Sequence, residues 1–64
     1  MNDFQFSVYK ELERLSASGV DVPIESLIGA YHLSNDEFSG LSVPAIAEIL
    51  LKEGLELSKQ NLTT

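Results

Sequence analysis

Apolar residues in this chain return mostly every three or four positions, and single alternation with polar ones is never sustained, a pattern that favours helices over strands. From Asp3 to Ala17, Phe4, Val8, Leu12 and Leu15 fall on one helical face, and Tyr9 widens the stripe. Asn2 or Asp3 can cap the start of this helix, and Gly19 suits the left-handed residue after its end. Lys10, Glu11, Glu13 and Arg14 form the wet side, whereas Phe6 falls off the stripe.

Val20 to Pro23 reads as an extended connector, because a residue before proline is pushed out of the helical region. A second helix is predicted from Pro23 to about Leu33, with Ile24, Leu27, Ile28 and Tyr31 as its buried face. Gly29 inside it predicts a close helix crossing at that point. Ser34 and Glu37 have the spacing of a capping box, which predicts a short helix through Phe38, stopped by Gly40.

After Leu41, Ser42 reads as an N-cap and Pro44 as a first-turn residue. Val43, Ile46, Ala47, Leu50 and Leu51 supply one apolar face. Gly54 is expected to end that helix, and Ser58 to cap a further one running from Lys59 to Thr64 and anchored by Leu62. The expectation is therefore an all-α fold, a small bundle of four to five short helices with a helix-turn-helix-like C-terminal part. It fills residues 1–64 as a single small domain, or as a piece of a longer chain.

Composition narrows the chemistry. With 64 residues and no cysteine, no disulfide or thiolate metal site can staple the core, and a bound partner or self-association would add stability. His32 is the only histidine, with no second one to complete a metal site. Asp36 and Glu37 suit a helix start better than acid–base catalysis, and the glycines are isolated rather than gathered into a phosphate-binding loop. Neither an enzyme, a metal, a cofactor nor a small-molecule substrate is expected. The longest apolar run, Ile49–Leu50–Leu51, is far short of a membrane span, and the start lacks the pattern of a signal peptide. The expected location is the cytoplasm. The formal charge of −6 keeps the chain apart from polyanions at long range.

The stretch Ile46–Leu62, with Ile46–Ala47, Gly54, Ser58, Asn61 and Leu62, resembles the helix-turn-helix of small regulators and mobile-element accessory proteins. That resemblance implies a DNA-binding domain, acting as a homodimer, whose last helix enters the major groove. The groove-facing residues would be Lys59, Gln60, Asn61, Thr63 and Thr64, with Ser58 reaching a phosphate. Two departures stand out: Gly54 lies seven residues after Ala47, and few basic residues accompany the final helix. Leu41–Ser42–Val43 with Glu48, Leu50 and Gly54–Leu55 is also similar to the opening of a SAP-type helix–extended–helix module, another DNA binder. A reading from a different class treats the chain as an acidic adaptor or oligomerisation module with no nucleic-acid contact. Phe6 and Tyr9 would then anchor a partner or a second copy.

Overall fold

The computed structural model describes the backbone of residues 1–62 and the side chains of residues 1–60. Three helices make up the described residues: α1 (Asp3–Ala17), α2 (Ile24–Tyr31) and α3 (Val43–Leu62). The all-α expectation holds; the count of four to five helices does not, and two local causes account for the difference.

The first lies between α2 and α3. Only half of the predicted capping box forms: the Glu37 carboxylate accepts the Ser34 N–H at 3.2 Å, but Glu37 N–H turns back to the Ser34 carbonyl, not to its hydroxyl. Phe38 then takes a left-handed backbone, φ 57°, and Gly40 another at 88°. A non-glycine residue in that region costs about 1–2 kcal/mol and cannot continue a right-handed helix. The segment stays a run of turns, held in place by the half-buried Phe38 ring against the core.

The second cause is Gly54. It does not end a helix; it lies inside α3, which runs on as one element of 20 residues. The expected helix-turn-helix break between Gly54 and Ser58 is absent, and so is the extended segment that the SAP-type similarity implied. Glycine stands there for room. A Cβ at Gly54 would collide with the Ser26 hydroxyl and come within 2.7 Å of the Ser26 backbone nitrogen. The close crossing is thus at Gly54, whereas a Cβ at Gly29 would meet only Leu50 Cδ2 at an ordinary 3.4 Å.

The caps of the long helices follow the sequence. The Asn2 side chain accepts the Gln5 N–H at 2.8 Å, and the Gln5 side chain answers by accepting the Asn2 N–H at 3.0 Å. At the other end of α1, Val20 N–H reaches the Leu15 carbonyl and Gly19 N–H the Ser16 carbonyl, a six-to-one and five-to-two pair closed by Gly19 at φ 103°. Ser42 begins α3, its hydroxyl accepting from Ala45 N–H at 3.4 Å.

The core consists of Val8 and Leu12 from α1, Ala30 from α2, Leu33 after it, and Ile46, Ala47 and Leu50 from α3. Each fully buried valine, leucine or isoleucine side chain contributes about 1.5–3 kcal/mol relative to exposure. Gln5 links α1 to the end of α2, its amide donating to the Leu33 carbonyl at 2.6 Å.

Candidate functional site

Of the face that the apolar pattern of α2 predicts to be buried, only Leu27 packs, half-buried, against the core. Ser26, Ala30 and Leu33 point inward, at 1%, 0% and 3% exposure. Ile24, Ile28 and Tyr31 point outward, at 66%, 50% and 54%. The two stripes share the spacing i, i+4, i+7 and are offset by two residues, about 200° around a helix. The small stripe wins because it allows close approach. Ser26 drops its hydroxyl into α3, donating to the Leu50 carbonyl at 2.8 Å, directly beside the bare Cα of Gly54. Had the isoleucine stripe faced inward, the two axes would have to stand several ångströms farther apart.

What remains outside is a two-turn apolar ridge, roughly 10 Å long between the Cα atoms of its first and last residue. On its α1 side Leu27 is half-buried, and the Tyr31 ring meets the Tyr9 ring edge-on, with centroids 5.7 Å apart. Beside the ridge, α1 and α2 bound a cleft of about 310 Å³ lined by Tyr9, Leu12, Ser16, Ala17, Val22 and Leu27. Glu13 also borders it and is paired to Lys10 at 3.6 Å. One turn from Tyr9 along α1, Phe6 is 51% exposed and carries Lys10 Nζ 5.9 Å from its ring centroid. Tyr9 is therefore brought together with α2's outer stripe through Tyr31, while Phe6 lies exposed one turn away on α1 beside Lys10. Tyr31, expected inside, belongs to that surface as well.

A second hollow, about 570 Å³, lies on the outer side of α3 and involves Leu41, Ala45, Ile49, Leu51 and Leu55, with Glu48 and Lys52 among them. It is shallow, and its charges are of both signs.

The groove-facing set implied by the helix-turn-helix resemblance fares differently. Ser58 is half-buried within α3 and caps nothing; Lys59 and Gln60 are exposed on the same continuous helix. The Asn61 side chain, and Leu62 as an anchor, lie outside the described side chains, and Thr63 and Thr64 lie outside the described residues.

Glu11 and Arg14 form a hydrogen-bonded ion pair on the surface of α1. Arg14 donates to Glu11 through Nε at 3.0 Å and Nη2 at 2.6 Å. These hydrogen bonds hold the Glu11 carboxyl below its usual value; burial opposes them, and the guanidinium charge adds a lesser pull in the same direction as the hydrogen bonds. Among the described residues no three His, Cys, Asp or Glu side chains gather as metal ligands would, and no helix is long and apolar enough to cross a membrane. Every buried side-chain nitrogen and oxygen among them has a hydrogen-bond partner, so no polar group stands waiting for a ligand.

Compared with protein-family models, with curated proteins and with solved structures, the chain has no match. The sequence signal that marks the exposed ridge was present but ambiguous. Ser26, Ala30 and Leu33 keep the same period as the apolar stripe, and a period alone does not say which of two faces is inside.

Proposed function

We propose that this chain is a protein–protein interaction module whose contact surface is the outer face of α2 with the adjoining part of α1. The observation that carries the reading is the row Ile24, Ile28 and Tyr31, each at least half exposed on one helical face. Single exposed apolar residues are ordinary, but three in register, continued by Tyr9, form a patch that water solvates poorly and a partner can cover. The net charge of −6 supports a protein partner over nucleic acid. The DNA-binding reading rested on a separate recognition helix after Gly54, and α3 has no break there.

Affinity capture from an extract of the source cells, with the wild-type chain, Ile28→Glu and Lys59→Ala side by side, tests this. Anisotropy titrations against mixed duplex DNA at low and moderate salt run in parallel. The expected result is a retained protein lost with Ile28→Glu and kept with Lys59→Ala, and no duplex binding. Salt-sensitive binding to the duplex that Lys59→Ala weakens and Ile28→Glu leaves intact would overturn the proposal and restore a DNA-binding role.

A further inference from the structure

The distribution of charge around the ridge identifies the chemistry of what covers it. From Ser18 to Ser42 the chain carries Asp21, Glu25, Asp36 and Glu37 and no lysine or arginine. Asp21 is on the segment that enters α2, and Asp36 and Glu37 are on the segment that leaves it; all three are exposed. Glu13 borders the cleft beside the ridge and is paired to Lys10. Of the four basic side chains, Lys10 and Arg14 are on α1, paired to Glu13 and Glu11, and Lys52 and Lys59 are on α3. The apolar ridge is therefore carried between acidic segments.

A second copy of this chain would set the same negative segments against each other, and like charges across an interface are unfavourable. An anionic membrane surface or a nucleic acid meets the same repulsion. A partner with apolar anchors and lysine or arginine at both ends gains at every one of these positions. Its backbone is constrained as well. The ridge and cleft are walls of two helices whose own amides are paired internally, and no strand edge exists among the described residues. An extended peptide would find few backbone partners there, whereas a helix brings its own hydrogen bonds and can lay an apolar stripe along the ridge.

We infer that the occupant of this face is a basic amphipathic helix of another protein, its apolar residues spaced to meet Ile24, Ile28 and Tyr31 and its cations to meet Asp21, Asp36 and Glu37. The inference rests on the interaction reading above. Electrostatic complementarity of this kind mainly sets partner choice and association rate, while the apolar ridge supplies the contact.

Three synthetic helical peptides share one Leu/Ala face and carry lysine, glutamine or glutamate at both ends; each is dye-labelled and titrated by fluorescence anisotropy. The targets are the wild-type chain, Ile28→Glu, Tyr31→Ser and the double variant Asp21→Lys/Asp36→Lys, all checked by far-UV circular dichroism for retained helix. The lysine peptide is expected to bind the wild-type chain at least about tenfold more tightly than the glutamate peptide at low salt, a margin that shrinks as salt screens the charges. Both apolar variants should abolish binding, and the double variant should reverse the order of the lysine and glutamate peptides. Equal affinity for all three peptides, still lost with Ile28→Glu, would overturn the basic-helix inference and leave the interaction module standing. A dimer in sedimentation that Ile28→Glu dissolves, with no peptide bound, would make a second copy the occupant, with the same consequence. No peptide binding and no association by any variant-sensitive route would overturn both.

Discussion

Ser26 on α2 stands against Gly54 on α3 so closely that no side chain fits at position 54, and the same Ser26 hydroxyl donates to the Leu50 carbonyl one turn earlier in α3. Gly54→Ala should therefore destabilise the fold although alanine is the better helix former. The propensity gain is about 1 kcal/mol, and forcing a methyl group into a filled contact costs about 1–3 kcal/mol in a rigid core, more where backbone is the obstacle. Urea unfolding would show a lowered midpoint. Adding Ser26→Gly removes the hydroxyl but leaves the Ser26 nitrogen 2.7 Å from the new methyl, so rescue should be incomplete. A Gly54→Ala chain as stable as the wild type would mean that the two helices are not in this contact.

The two stripes of α2 should differ in how much a substitution costs. Ile28→Gln removes an apolar residue that is 50% exposed and should lower stability by under about 1 kcal/mol. Ala30→Leu adds apolar volume at a fully buried position and should cost about 1–3 kcal/mol. Thermal unfolding of the pair settles which face is inside, and the reverse order would turn α2 around.

Position 38 should prefer glycine to alanine. Both substitutions lose the half-buried ring, so both destabilise, but only glycine accepts φ 57° without steric cost. Phe38→Gly is expected to be more stable than Phe38→Ala by about 1 kcal/mol. Had this segment been the helix its capping pattern suggested, the order would be the other way round, so chemical denaturation of the two variants discriminates directly.

Acid should weaken the α1 surface in one identifiable step. The Arg14 hydrogen bonds lower the Glu11 carboxyl in the folded chain relative to its ordinary value. A carboxyl lowered on folding contributes stability that is present above the unfolded value and lost as pH falls through the folded one. Glu11→Gln should therefore remove part of the acid-side decline below about pH 4.5 and leave the neutral-pH region nearly unchanged. Unfolding midpoints from pH 3 to pH 7 for both chains, at about 0.1 M salt, would show it. Parallel declines would mean that the Glu11–Arg14 pair does not persist in solution.

Much of this architecture was legible from residue order. The bounds of α1, its Asn2 cap, its Gly19 exit and the start of α3 at Ser42 all follow from local chemistry, because each depends on residues no more than five apart. The failures share a cause of the opposite kind. Gly54 looked like a terminator because a glycine after a helical run usually is one; its real reason is Ser26, 28 residues earlier in the chain. The facing of α2 was misread for the same reason: the choice between its two stripes is made on α3. Phe6, off the core stripe of α1, is exposed, whereas Tyr9 widens that stripe, packs half-buried against the core and meets the outward-turned Tyr31.

The tight seat of α2 on α3 also says how its outer surface would behave on contact. A helix seated with Ser26 against a bare glycine and with Ala30 fully buried has little freedom to roll or slide, so Ile24 and Ile28 project from a fixed base. Isoleucine in a helix keeps essentially one χ1 rotamer, and Tyr31 is steadied by the edge of Tyr9. Little conformational entropy is left for these side chains to lose, and the ordering that association demands falls on the incoming segment. For a chain of this size, that makes the affinity of the face depend more on how readily its partner forms a helix than on any adjustment of its own.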